Sequence, residues 1–157
     1  MTESTICVGV DGSTSSRAAL QFACAEAKYR GAKILAVTAW WIDVGYGGYG
    51  LWPSSEDQAA YKHSAAETQA RAIERVAKEI DEMPEIDRRV VRSAPGEALV
   101  ELARDCDLLV VGTEHKGLMK RVSAGSTSTY CVRHSHTPVV VVPLVDTDTH
   151  GLDTSDT

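Results

Sequence analysis

The chain has 157 residues, enough for about one domain, and its 43% apolar and 24% charged content is typical of a globular protein. It carries 16 Lys and Arg residues against 22 Asp and Glu residues, which gives a formal net charge of −6. This balance argues against a surface that binds nucleic acid or an anionic membrane, because both partners need a basic footprint.

The first elements predicted along the chain are a strand, a helix and a second strand. An apolar run at Thr5–Val10 ends at Asp11-Gly12-Ser13, and small apolar residues then recur at helical spacing up to Gly31. Ser13 or Thr14 is a suitable helix cap. The next apolar run, Ile34–Ala39, has the length of a strand, so a βαβ unit is complete by residue 40.

The region after this unit interrupts the regular pattern. Residues 40–55 are rich in Trp, Tyr and Gly, which predicts a long aromatic loop that is either a lid stacking on a base or a surface loop. Ser54 or Ser55 then caps a long helix. Its predicted buried stripe, which Met83 closes before Pro84, consists of Ala66, Ala70, Ile73, Ala77 and Ile80.

The remaining pattern continues the alternation of strands and helices. It predicts a strand at Arg88–Ser93, a helix around Leu99, a strand at Leu108–Val111, a helix from Gly125 and a strand at Pro138–Pro143. Continuous apolar strands that alternate with helices indicate an α/β fold, a single doubly wound five-stranded parallel sheet with helices on both faces. We expect one domain at residues 1–145 and a disordered acidic tail at residues 146–157.

Cysteine usage and the amino-terminal segment predict the compartment. Cys7, Cys24, Cys106 and Cys131 contain no C-x-x-C pair, so we expect buried free thiols. The first residues, Met1–Thr5, lack a basic segment before a long apolar stretch, and the longest apolar runs are too short to span a bilayer. We therefore expect a cytoplasmic protein without a membrane partner.

The carboxyl ends of the predicted strands are where chemistry is expected. Ligands of doubly wound sheets bind beyond these ends, at the point where the strand order reverses. If the first and fourth strands are neighbours, Asp11 and Gly112 converge with the helix that begins at Gly125. Ser126, Thr127 and Ser128 then supply backbone N–H groups and hydroxyls suited to phosphate, which predicts a site of mononucleotide size.

A cationic cluster lies between Gly112 and Gly125. It contains His115, Lys116, Lys120 and Arg121, which either neutralise a polyphosphate or are solvated surface residues. Other sites are weaker predictions. His134 and His136 do not share a helical face as metal ligands should, and no G-x-S-x-G elbow indicates a serine hydrolase. The Walker pattern G-x-x-x-x-G-K-[ST] is absent, as is G-x-G-x-x-G after the first strand.

With these motifs assembled, the chain is similar to the universal stress protein family across about residues 4 to 143. The similarity rests on Val8–Ser13, Pro95–Leu99 and Leu108–Thr113, and on Pro138–Pro143. Its most specific part is Gly112 placed thirteen residues before Gly125-Ser126. The resemblance implies an adenine nucleotide alpha hydrolase-like fold and a stress-response role.

The resemblance also implies a ligand and a set of binding residues. The ligand is ATP, with Mg²⁺ or Mn²⁺, or a related adenine nucleotide. Family members that bind ATP are associated with Gly, two residues, Gly, nine residues and Gly-Ser/Thr, and here His115 stands at the second Gly. Its β-carbon either crowds the phosphates or its imidazole adds a donor. By position, the binding residues are Val10, Asp11, Ala39, Val111, Gly112, His115, Gly125, Ser126, Thr127 and Ser128.

Three functions remain open from the sequence. The first is a regulatory nucleotide-binding module without an evident catalytic base, which hydrolyses ATP slowly if at all. The second is a nucleotide-independent homodimeric interaction protein whose site is degenerate at His115, and the third is a slow ATPase. The resemblance implies a homodimer through Val139–Val142, a predicted edge strand whose apolar character favours pairing.

Overall fold

Strands and helices alternate throughout the part of the chain that the computed structural model describes, which is residues 3–42, 53–114 and 125–144. The elements in chain order are β1 (Thr5–Gly9), α1 (Thr14–Arg30), β2 (Lys33–Trp40), α2 (Ser55–Ala77), β3 (Ile86–Arg92), α3 (Pro95–Leu102), a 3₁₀ turn (Ala103–Asp105), β4 (Leu108–Glu114), α4 (Ser126–His134) and β5 (Val139–Leu144). The predicted order is confirmed. Most of the aromatic loop, the cationic cluster with His115, and the acidic tail at residues 146–157 lie outside the described residues.

The strands form one parallel sheet in the order β3-β2-β1-β4-β5. The chain therefore reverses direction across the sheet between β1 and β4, whose register pairs Ile6 with Leu108 and Val8 with Val110. The predicted doubly wound sheet is confirmed. The first and fourth strands are neighbours, which is the condition under which Asp11 and Gly112 were expected to converge. β5 lies at one edge, as expected for the Val139–Val142 segment.

Burial on both sheet faces explains why the strands are continuously apolar. Ile6 and Val8 point into a core that α1 and α2 cover, whereas Cys7 points into a second core under α3 and α4. Successive strand residues face opposite sides, so each strand needs apolar residues at every position. Among the described residues, no helix is long and apolar enough to cross a membrane.

Helix α1 forms as the sequence pattern predicts. The Ser13 side chain accepts a hydrogen bond from the Ser16 N–H, which caps the helix, and Gly31 ends it at a φ of 62°. Every residue of the expected stripe is buried, and these are Ala19, Leu20, Ala23, Cys24 and Ala27. Small residues at these positions allow α1 to lie close against the sheet.

The predicted buried stripe of α2 is partly wrong. Ala77 is exposed, and the buried residues of the helix are Gln69, Ala72 and Val76. Gln69 is fully buried because its side-chain amide donates to the Ala36 and Arg89 carbonyls, at 3.0 Å each. A sequence pattern that counts only apolar residues misses a buried polar side chain of this kind. Ile73, Ile80 and Met83 still pack against the core, as predicted.

All four cysteines lie in the described part of the chain and are free, as predicted, but the expected burial is wrong for Cys106. Cys7, Cys24 and Cys131 are buried, and Cys106 is partly exposed at the end of the 3₁₀ turn. Burial raises the pKa of the Cys24 and Cys131 thiols to about 11. A hydrogen bond with Cys106 and burial raise the pKa of Cys7 well above its ordinary value. These three thiols are therefore protonated at neutral pH.

Gly112 lies inside β4, which continues to Glu114, rather than at the end of the strand as predicted. A β-carbon at this position would lie 2.2 Å from the Ser15 carbonyl oxygen of α1. No side-chain rotation relieves a contact with backbone, so glycine is required here for α1 to lie against β4. Gly125, in contrast, has space around it, since an added β-carbon would be 3.9 Å from Ser128 Oγ.

These two glycines give a matched test of the fold. Gly112→Ala is expected to lower the free energy of unfolding by at least about 2 kcal/mol, because it forces α1 away from the sheet. Gly125→Ala is expected to cost less than about 1 kcal/mol. Urea unfolding followed by circular dichroism measures both values. An equal loss in the two variants would show that α1 and β4 are not held in close contact.

Candidate functional site

An open cavity of about 110 Å³ lies where the sheet order reverses, at the carboxyl ends of β1, β2 and β4. Its lining comes from three strands, the turn after β1 and the amino-terminal parts of three helices. These residues are Gly9, Val10, Asp11, Ser15, Ser16, Val37, Ala39, Pro95, Leu99, Val111, Gly112 and Thr127. The topology thus brings together segments that are more than a hundred residues apart in the chain.

The structure brings six of the ten predicted site residues to this cavity. Val10, Asp11, Ala39, Val111, Gly112 and Thr127 line it. Gly125, Ser126 and Ser128 belong to the same first turn of α4 as Thr127, next to the lining. His115 lies outside the described residues.

Sequence reasoning missed several lining residues. Ser15 and Ser16 belong to the predicted first helix and were given no binding role. Pro95 and Leu99 belong to a motif that carried the family resemblance, also without a binding role. The available signal was the position of these residues near the beginnings of α1 and α3, since helices that follow strands begin at the carboxyl edge of the sheet.

The walls of the cavity differ in chemistry. Val37, Ala39, Leu99 and Val111 make one part apolar, which suits the faces of a planar ring. Asp11, Ser15, Ser16 and Thr127 supply the polar part. A small molecule with a flat apolar portion and a polar or charged portion therefore fits this lining better than a uniformly charged one.

Asp11 is held by the turn between β1 and α1. Its Oδ1 accepts a hydrogen bond from the Ser13 N–H at 2.9 Å, and its own N–H donates to Ser16 Oγ at 3.3 Å. Thr38 Oγ1 donates to the Val10 carbonyl at 2.6 Å, which ties the turn to β2. The carboxylate is exposed, and its Oδ2 has no hydrogen-bond partner among the described residues, so it is available to a ligand hydroxyl or amine.

The first turn of α4 is open to an anion. Gly125 is the N-cap, no side chain of the described residues caps the helix, and no acidic residue lies in the first turn. The N–H groups of Ser126, Thr127 and Ser128 are the donors that an α-helix leaves without internal partners. The amino-terminal ends of α1 and α2 are different, because Ser13 and Ser54 cap them with their own hydroxyls.

Close packing of α3 on α4 sets the position of this turn. Gly96 is buried, and a β-carbon there would lie 2.7 Å from Tyr130 Cδ1. On the other side, the Gly125 N–H donates to Thr113 Oγ1 at 3.4 Å, which links the turn to β4. The donors of α4 are therefore placed by contacts with two neighbouring elements.

The described residues offer little to other kinds of chemistry. They contain no group of three or more His, Cys, Asp or Glu side chains that could hold a metal ion. His134 lies against the ring of Tyr130, with centroids 4.2 Å apart, rather than beside His136 in a site. Cys7 and Cys131 are protonated thiols, which makes them poor nucleophiles.

Comparison with known proteins identifies one family. A family model described as the universal stress protein family matches residues 4–143. A universal stress protein of Mycolicibacterium smegmatis is 34% identical over 141 residues, which cover 87% of this chain and 45% of that protein. One from Mycobacterium tuberculosis is 31% identical over 139 residues, covering 87% and 44%. The chain spans less than half the length of these curated relatives.

Solved structures of the same family share the fold. The universal stress protein UspA from Lactobacillus plantarum is 26% identical, with a TM-score of 0.70, over 90% of this chain and 99% of that chain. A universal stress protein in complex with cAMP is 28% identical, with a TM-score of 0.56, over 91% and 98%. The fold is adenine nucleotide alpha hydrolase-like, as the sequence resemblance implied.

Proposed function

Since the chain belongs to the universal stress protein family, we propose that the cavity between β1 and β4 binds ATP or a related adenine nucleotide. The protein then acts as a regulatory module in the stress response, and the nucleotide is its signal. The observation that carries this proposal is that an apolar wall, the exposed Asp11 carboxylate and the first turn of α4, which no described side chain caps, meet at one cavity.

Each part of an adenine nucleotide has a matching part of the cavity. Val37, Ala39 and Val111 offer apolar contact to the adenine ring, and the free Oδ2 of Asp11 accepts a hydrogen bond from a ribose hydroxyl. The N–H groups of Ser126, Thr127 and Ser128 bind phosphate. The family structure in complex with cAMP, at 28% identity, supports a ligand of the adenine nucleotide class.

A bound ATP would bring Mg²⁺ or Mn²⁺ with it, mainly on its own phosphates. Such ions need only one or two protein carboxylates, and Asp11 is the carboxylate that lines the described part of the cavity. The proposal uses the free Oδ2 of this residue for a ribose hydroxyl, and the described part of the lining contains no second carboxylate to take a proton from water. Slow hydrolysis, or none, is therefore the outcome that this arrangement favours.

We place the protein in the cytoplasm, where its thiols remain reduced. The four cysteines are free, and three of them are buried in the two cores that cover the sheet. This proposed location does not depend on whether the protein binds a nucleotide.

A homodimer through β5 is the second part of the proposal. β5 is an edge strand, so one side of its backbone is open to pairing with a second copy. Pro143 lacks an N–H, which limits the pairing to the segment before it. A dimer of a chain that shows no nucleotide binding would favour the rival function, a nucleotide-independent interaction protein.

Thermal unfolding with adenosine, AMP and Mg-ATP tests the nucleotide site. A ligand at about 100 times its dissociation constant should add about 2.7 kcal/mol of stability, seen as a rise in Tm. Gly125→Val is expected to weaken AMP and ATP binding by at least about tenfold while adenosine binding stays the same, because the new side chain covers the phosphate donors. Undiminished ATP affinity in this variant would disprove the phosphate position.

Two substitutions test the effect of the His115 side chain on ATP binding. His115→Gly restores the glycine of the family pattern and is expected to strengthen ATP binding severalfold. His115→Ala is the matched control, since it removes the imidazole but keeps a β-carbon. Titration calorimetry measures both. Weaker binding in both variants would contradict the expectation and show that the imidazole contacts the ligand.

The oligomeric state is measured by light scattering after size exclusion, with and without ATP. We expect a dimer of about 34 kDa, twice the 16.9 kDa chain, in both conditions. Release of phosphate from ATP is followed in the same samples. A monomer would refute pairing through β5, and steady turnover would favour the slow ATPase over the regulatory module.

A further inference from the structure

A second cavity, of about 230 Å³, lies between the start of α1 and the middle of α2. It is separate from the candidate nucleotide site, with no lining residue in common. Its lining consists of Gly12, Ser13, Thr14, Arg17, Thr68, Arg71, Ala72 and Arg75. Three guanidinium groups and three hydroxyls thus surround one opening.

The charge of this cavity is opposite to that of the chain. The protein carries a net charge of −6, yet the described residues that line the cavity include no carboxylate. Arg71 and Arg75 are one turn apart on α2, where two like charges destabilise a helix. Three cations grouped in this way create a positive potential that favours a bound anion.

Acidic neighbours compensate this charge only in part. Arg17 lies 3.5 Å from Glu79 and Arg71 lies 3.8 Å from Glu67, and neither carboxylate belongs to the lining. Glu79 is shared, because it also accepts a hydrogen bond from the Gln21 amide. Arg75 forms no ion pair with any described residue, so its guanidinium keeps its full hydrogen-bonding capacity.

Gly12 gives this cavity its shape. The residue has a φ of 83°, and a β-carbon there would lie 2.7 Å from Thr68 Cγ2. Glycine therefore allows the turn after β1 and helix α2 to approach each other, with the arginines arranged around the contact. α2 contributes Thr68, Arg71, Ala72 and Arg75, which lie on one face of the helix.

We infer that this arginine cavity is a second binding site, and that its ligand is a phosphate-bearing anion about as large as a diphosphate. Guanidinium groups bind phosphate oxygens in pairs of hydrogen bonds, and several of them around one opening match an anion with more than one charge. The hydroxyls of Thr14 and Thr68 add neutral donors. The site goes beyond the proposed function, since it does not require that the first cavity binds a nucleotide.

Two sources supply this chemistry, a free phosphate compound and the phosphate tail of a nucleotide bound in the first cavity. The two cavities share one turn, because the Ser13 N–H in the second is hydrogen-bonded to Asp11 Oδ1 in the first at 2.9 Å. An anion in the arginine cavity therefore contacts the same turn that presents Asp11 to the first cavity.

Titration calorimetry with sodium pyrophosphate, at constant ionic strength in chloride, tests the inference. We expect saturable 1:1 binding to the wild-type chain, and binding about tenfold weaker to Arg75→Gln. Arg104→Gln is the matched control. It removes the same charge from a residue that lies outside the cavity and pairs with Glu101 at 3.1 Å, so it should bind like the wild type.

The outcomes separate this site from the nucleotide site. Gly125→Val should leave pyrophosphate binding unchanged, and a loss in that variant would overturn the inference by moving the anion to α4. No saturable binding, or equal weakening by Arg104→Gln, would overturn it as well. If Arg75→Gln does not fold, as judged by thermal unfolding without ligand, Arg71→Gln takes its place.

Nucleotides then identify the source of the phosphate. Pyrophosphate that binds equally well in saturating ATP supports a free anion as the ligand. Competition between pyrophosphate and ATP, together with weaker ATP binding but unchanged AMP binding in Arg75→Gln, supports the nucleotide tail instead. Both results place the phosphate among the arginines.

Discussion

The close contact between the first turn of α1 and strand β4 is the constraint on which the candidate site depends. It exists because Gly112 has no β-carbon, which would otherwise stand 2.2 Å from the Ser15 carbonyl oxygen. The contact brings Ser15 and Ser16 beside β4, and these two residues complete the cavity between β1 and β4. Gly112 therefore affects the site through packing as well as through its position in the lining.

Helix capping distinguishes the ends of the helices at the carboxyl edge of the sheet. The Ser13 hydroxyl accepts a hydrogen bond from the Ser16 N–H at the start of α1, and a capping box of Ser54 and Asp57 caps α2. α4 begins at Gly125, and no side chain of the described residues caps it. Within the described part of the chain, the donors of α4 are thus left to a ligand, while the side of α1 that faces α2 offers arginine side chains.

The parts of the fold that follow from local pattern were predictable. The order of elements, the approximate positions of the strands and the buried stripe of α1 were all visible in the sequence, because hydrophobic periodicity and capping residues are local properties of each element. The strand bounds were less accurate, since β3 begins at Ile86 rather than Arg88 and β4 continues to Glu114 rather than ending at Val111. The stripe of α2 was partly misjudged, since the burial of Gln69 depends on carbonyl groups supplied by β2 and β3. A buried polar residue is evident only when its partners are known.

The candidate site was predicted in part for the same reason. Asp11 and Thr127 could be found because they lie where one element ends and another begins, and Gly112 because it precedes Gly125 in a recognisable motif. Ser16, Pro95 and Leu99 were missed, since the start of a helix after a strand indicates the right edge of the sheet but their part in the lining depends on how closely the helices pack. The arginine cavity was not predicted either, because Arg17 and Arg75 come from separate helices and meet only when α1 and α2 lie side by side.

The sequence by itself determined the class of fold, the parallel character of the sheet and the chemistry available at the ends of the strands. These depend on hydrophobic periodicity, on capping residues and on the positions of glycines, all of which are local properties of the chain. The tertiary structure alone decided which strand ends are neighbours, which helix ends remain uncapped beside them and which cations share a cavity. Those properties arise from contacts between residues far apart in the chain, and the packing of helices on the sheet decides which of these residues come close together in space.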